Sequence, residues 1–146
     1  MSPHFSFAEL TFSQTAARFG INNEPGFAAL CNLQRTAWLL EEVRVVLDDA
    51  PIVVTSAYRS YALNIMIGGS KTSAHLHGPA ADFTAPGFGT PYMICSILAN
   101  SDIEYDELIL EYDRWVHISW RDSPRRRVRT ICDRGEGYQV GLRPCL

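Results

Sequence analysis

The 146-residue chain lacks closely spaced cysteines. Cys31, Cys95, Cys132 and Cys145 lie far apart with no C-x-x-C pair, which removes the zinc knuckles and dithiol redox motifs that depend on neighbouring thiols. No apolar run approaches the roughly 18–20 residues needed to cross a bilayer, so no membrane insertion is expected. A surplus of positive charge is missing too. Thirteen Lys+Arg stand against sixteen Asp+Glu, a net charge of −3, and no global field recruits nucleic acid. Repeats, low-complexity tracts and linkers are absent. Met1-Ser2-Pro3-His4-Phe5 lacks the charged head and apolar centre of a secretory signal, so synthesis in the cytoplasm is expected.

What is present is ordinary globular material: 47% hydrophobic and 20% charged residues, with a length that predicts one domain over residues 1–146. Ser6-Phe7-Ala8-Glu9 has the form of a capping box opening a short helix, and Ser13 to Arg18 predicts another that stops at Gly20. From Phe27 to Leu47, Leu30, Leu33, Ala37, Leu40, Val43 and Leu47 form one helical stripe. Ile52–Thr55 and Ala80–Thr84 predict strands, with one or two helical turns at Tyr61–Ile67 between them. Pro91 opens a helix that ends near Asn100. Glu107–Tyr112 and Trp115–Trp120 alternate as a hairpin, and Val128–Ile131 with Tyr138–Val140 predicts a second. Helices early and strands late give an α+β fold: helices packed on a small, mainly antiparallel sheet.

Cys31 and Cys95 sit in apolar helical contexts and are expected to be buried thiols; a Cys132–Cys145 bridge is open to an oxidising compartment. His75, His77 and His117 occupy strand or strand-edge contexts. His75 and Asp82 are seven positions apart, and a turn at Gly78-Pro79 lets them converge. In Trp115-Val116-His117-Ile118-Ser119, alternation puts Trp115, His117 and Ser119 on one face. Two imidazoles and a carboxylate make a three-ligand set for Zn²⁺ with a fourth position left for water. The spacing alone also suits two hydrogen-bonded histidines and a turn aspartate.

Ser73-x-His75-x-x-Gly78-x-Ala80-x-Asp82 resembles the S-x-H-x-x-G-x-A-x-D signature of the M15 zinc peptidases, the D-Ala-D-Ala carboxypeptidase and dipeptidase group whose fold is shared by the hedgehog signalling domain. Ser56-Ala57-Tyr58-Arg59-Ser60, Leu63-Asn64, Gly68-Gly69-Ser70 and Trp115–Ser119 follow in the family's order. From about Pro3 to Leu142 the chain is similar to the small single-domain branch found among phage and prophage endolysins.

That resemblance implies His75, Asp82 and His117 as ligands of one Zn²⁺ per chain, on a sheet of the hedgehog/DD-peptidase type. It implies Arg59 in the active site, holding substrate oxygens through its planar fork; a surface ion pair is the other reading. The group often carries an acid three positions before the last histidine ligand, where this chain has Arg114. Glu111 and Asp113 remain as candidate bases. Glu111, six before His117 as in the hedgehog-like arrangement, is preferred over the turn residue Asp113. Ser73 binds substrate or caps a turn; Trp115 walls the groove or packs in the core. His77 reads as solvent-facing, Tyr58 as packing. The basic run Pro124–Arg129 either attracts anionic wall polymer or balances nearby acids. The implied activity is zinc-dependent hydrolysis of peptidoglycan peptides by a monomeric lysis enzyme, held in the cytoplasm, released to the wall with the help of a holin, and acting on stem peptides. The alternatives are a non-catalytic zinc-stabilised wall- or partner-binding module and a cytoplasmic D-Ala-D-Ala dipeptidase.

Overall fold

The computed structural model describes residues 1–146. Ser6 Oγ accepts from Glu9 N at 3.1 Å and starts α1 (Phe7–Thr11); the Glu9 carboxylate does not reach back to Ser6 N, so only half of the expected capping box forms. Ser13 caps α2 (Gln14–Phe19), which Gly20 ends at φ 63°, a left-handed value that favours glycine. α3 (Phe27–Val46) follows, burying Leu33, Ala37, Leu40 and Val43, with Leu47 just past its end. Cys31 on this helix is exposed, not buried, because it lies off the stripe; Cys95 is buried as expected, and burial pushes its thiol up to about 12.

β1 (Val53–Ser56) starts one residue later than the pattern predicts, because Ile52 is drawn into the core. Ser60 caps α4 (Tyr61–Met66), and a 3-10 turn covers Ala74–Leu76. β2 (Ala80–Thr84) is followed by α5 (Pro91–Ala99), where Thr90 caps and Pro91 takes the first helical position. The chain closes with β3 (Glu107–Glu111), β4 (Trp115–Ser119), β5 (Arg127–Ile131) and β6 (Gln139–Val140). The sheet order is β1-β2-β4-β3-β5-β6. Neighbours are antiparallel except β3 and β5, which run parallel. Both predicted hairpins form.

The period of two decides which face does what. Ala81, Phe83, Leu108, Leu110, Val116 and Ile118 are fully buried on the face covered by α3 and α5; burial of each large side chain contributes about 1.5–3 kcal/mol. The alternate residues, Asp82, Ile109, Glu111 and His117, line a groove of about 990 Å³ on the opposite face. No helix is long and apolar enough to cross a membrane.

Candidate metal centre

Strand register makes half of the site. β2 and β4 pair so that Asp82 lies directly opposite His117, and His117 Nδ1 is 2.8 Å from Asp82 Oδ1. Beyond them on β1, the register slips between Val54 and Ser56 and leaves Ser56 opposite Asp82. His75 arrives from another direction. It sits in the 3-10 turn, not at a strand edge as its sequence context suggests, because Ser73 Oγ accepts from His75 N and tightens the chain there.

The chain behind this turn is tied to α3. Gly78 takes φ +98° and a Cβ there would come within 2.6 Å of the Ala29 carbonyl. Thr36 Oγ1 donates to the Gly78 carbonyl at 2.7 Å and accepts from Trp120 Nε1 at 2.9 Å, while Asn32 Nδ2 donates to the His77 carbonyl. The His77 ring faces solvent and is no part of the groove.

Three ligand atoms, one from each of His75, Asp82 and His117, lie within 4.8 Å of one another, and all three residues are buried. His75 Nδ1 stands 2.6 Å from the Ala57 carbonyl. A carbonyl only accepts, so Nδ1 carries a proton, and Nε2 faces Asp82 Oδ1 3.2 Å away, donating to it when the ring is charged and offering it a lone pair when the ring is neutral. In the neutral ring, that lone pair and the carboxylate oxygen together suit a bound cation. Ligand bonds of ~2.0–2.2 Å in tetrahedral array put donor atoms about 3.3 Å apart, close to the 2.8 and 3.2 Å seen here. The residues fit one Zn²⁺, and the Ala57 carbonyl orients His75 in the manner of an outer ligand partner.

Charges follow the burial. Burial lowers His75, with Asp82 opposing it. For Asp82, burial alone would raise the carboxyl, but the charge of His75 and hydrogen bonds from His117 and His75 hold it well below the usual carboxylate range. His117 also feels burial pulling it down, yet its contacts with Asp82 and the charge of Glu111 leave it raised. Glu111 is raised by burial and then by the charge of Asp82.

Glu111 ends β3 with Oε1 3.9 Å from His117 Nδ1, and Trp115 Nε1 donates to its Oε2 at 2.9 Å. Trp115 therefore lines the groove, its ring against Tyr112 at 5.5 Å. Asp113 and Arg114 are exposed in the β3–β4 turn, outside the groove. Arg59 is no surface residue. Its Nε donates to Ser56 Oγ, its Nη1 to Asn64 Oδ1, and its Nη2 stands 3.6 Å from Asp82 Oδ2. Ser73 lines the groove while capping its turn. Tyr58 packs in the core. The basic run balances acids: Arg125 pairs with Asp106, and Arg127 and Arg129 with Glu107.

The sequence model of one family, Peptidase M15, matches residues 3–119. The chain belongs to the M15 peptidases. It is also 31% identical over 86 residues to a zinc D-Ala-D-Ala carboxypeptidase of Streptomyces albus G, a stretch covering 59% of this chain and 33% of that protein. The chain thus spans about a third of that relative's length.

The M15 match ends at Ser119, yet residues after it complete the groove. Tyr138, Arg134 and Gly137 line it, and Cys132 and Cys145 are disulfide-bonded around them. The sequence signals single out neither Tyr138 nor Thr36 in this M15 chain. A threonine breaking the otherwise apolar stripe of α3 is the one trace of the latter.

Proposed function

We propose that the chain is a zinc-dependent peptidase that hydrolyses a peptide bond in bacterial peptidoglycan. The observation that carries this reading is the placement of Glu111, its free oxygen 3.9 Å from a histidine of the His75–Asp82–His117 set, at an open groove. A zinc ion bound by those three residues would polarise the scissile carbonyl and lower the pKa of a water toward about 7. Glu111 accepts the proton of the attacking water at Oε1 and returns it to the leaving amine. Trp115 fixes the other oxygen, so the carboxylate turns one edge to the reacting atoms. Arg59, held by Ser56 and Asn64, presents its remaining donors to a substrate carbonyl or carboxylate. Ser73 and Trp115 line the groove beside it and contact the bound peptide.

The finer reading is a phage-type lysis enzyme, acting as a monomer on stem peptides after a holin admits it to the wall. Support comes from the order of motifs from Pro3 onward, which resembles the small phage and prophage branch, and, for a wall-peptide substrate, from the likeness to a zinc D-Ala-D-Ala carboxypeptidase.

The test is digestion of purified peptidoglycan by zinc-loaded protein with mass spectrometry of the fragments, beside Glu111→Gln. New amino termini that fall at least ~100-fold in the mutant, with zinc still bound one to one, are expected from loss of a proton shuttle. No new termini from the wild type would refute a wall peptidase. Activity on free D-Ala-D-Ala alone would identify a dipeptidase, and wall binding without cleavage a binding module.

A further inference from the structure

We propose that the loop closed by Cys132–Cys145 is the substrate-selecting wall of the groove: Arg134 takes a second carboxylate of an acidic peptide, Tyr138 lies along that peptide, and the disulfide holds both in place. The inference rests on the reading that the groove takes a peptide.

β5 runs beside β3 with Ile131 opposite Glu111, and Tyr112 N donates to the Ile131 carbonyl at 2.7 Å. The chain leaving β5 therefore departs beside Glu111. Cys132 comes next, and its bond to Cys145, 13 positions on, returns the chain to the same place. Apart from that bond, the loop is tied to β5 by the two register pairs of β6, by Gly141 N donating to the Val128 carbonyl at 2.8 Å, and by Thr130 Oγ1, which donates to the Gly141 carbonyl and accepts from Arg143 N.

The loop's side chains are free for a ligand. Tyr138 is 52% exposed and rests on the Arg129 guanidinium, 4.4 Å from its centroid, with no partner for its hydroxyl. Arg134 is exposed on the groove and makes no ion pair or side-chain hydrogen bond, whereas Arg125, Arg127 and Arg129 are committed to Asp106 and Glu107. The sheet order sets Arg59 beyond β1 and this loop beyond β5, with Asp82 and His117 between them. A peptide anchored by Arg59 at one end and crossing the metal ligands meets Arg134 on the far side. The matching substrate is an acidic peptide with a carboxylate well away from the scissile bond.

Opening the disulfide with a phosphine yields two thiols, water supplying their protons and the oxygen of the phosphine oxide. The wall then hangs on the short β6 ladder and the few hydrogen bonds around Gly141 and Thr130.

The test is calorimetric binding of soluble stem peptides to the zinc-loaded Glu111→Gln protein, using peptides with free side-chain carboxylates and their amidated counterparts. Arg134→Ala is expected to weaken the free-carboxylate peptides about tenfold, the factor for ~1.4 kcal/mol, and to leave the amidated ones unchanged. Tyr138→Ala weakens both. Cys132→Ser/Cys145→Ser, or phosphine treatment, is expected to lose tenfold as Arg134→Ala does while one zinc stays bound. Should the cysteine variant fail to fold, Arg134→Ala decides, since that exposed side chain holds nothing in the fold. Equal affinities for all proteins, or no binding by the parent, would overturn the wall. Turnover of peptidoglycan by the wild type is read separately, so loss of the wall and loss of the peptidase reading are distinguishable.

Discussion

Thr36→Val removes a hydroxyl that sits on α3, yet its effects should reach the metal ligands. Thr36 is completely buried. Its Oγ1 donates to the Gly78 carbonyl at 2.7 Å and accepts from Trp120 Nε1 at 2.9 Å. Valine keeps the shape and supplies neither bond. Leaving the carbonyl unpaired costs about 1–3 kcal/mol, and the indole N–H adds about 1. The sum, roughly 2–4 kcal/mol, corresponds to a fall in Tm of about 5–15 °C for a chain of this size. The carbonyl lies three residues after His75, so zinc affinity should fall with it. Urea unfolding of the metal-free protein, paired with zinc titration against a competing chelator, reads both effects. Thr36→Ser keeps the hydroxyl and should recover most of each. A change below about 0.5 kcal/mol in Thr36→Val, the scatter expected of a neutral surface site, would refute the reasoning.

Gly69→Ala would drive a Cβ into the Asn64 carboxamide and to 3.0 Å from Arg59 Nη1; KM for peptide should rise several-fold with zinc content unchanged, checked by steady-state kinetics and metal analysis. Adding zinc to 100 times its Kd should stabilise the fold by about 2.7 kcal/mol, and Asp82→Asn should abolish that dependence in thermal scans. Asp106 is held below the usual carboxylate range by its hydrogen bond from Arg125. Its stabilisation is therefore present above the unfolded value near 3.9 and lost as pH falls through the lower folded value. Asp106→Asn should flatten the acid side of a pH–stability curve; an unchanged slope would count against the pair.

Legibility in the sequence tracked how local the cause was. Ser13, Gly20 and Pro91 announce helix ends because a cap acts within four residues, and Ala80–Thr84 and Trp115–Ser119 announce strands by alternation. The facing of Asp82 and His117 needs only strand pairing, so alternation brought it close to view. The convergence of His75 with Asp82 was legible from the turn at Gly78-Pro79 and the family signature, but its setting was not, because a 3-10 turn held by contacts to α3 has no periodic signature. Cys31 is exposed because it lies off the apolar stripe of α3, a distinction the apolar context around it does not make. The parallel pairing of β3 with β5 arises from contacts twenty residues apart in sequence, and Tyr138 reaches the groove only through that pairing. The spacing of Glu111 six before His117 favours it over Asp113 as the base, and its Oε1 lies 3.9 Å from His117 Nδ1 while Asp113 is exposed.

The parallel neighbour of β3 also covers what would otherwise be an open edge of the sheet. Without residues beyond Ser119, β3 would end the sheet, presenting unpaired amides along Leu108-Ile109-Leu110, a flat apolar template for another chain. β5 occupies that side with Arg127 and Arg129 alternating along it, and β6 caps it with only two paired residues. What remains outermost on that side is short, charged nearby and followed by Pro144, a poor seed for intermolecular pairing. The same segment that finishes the groove thus closes this edge of the sheet.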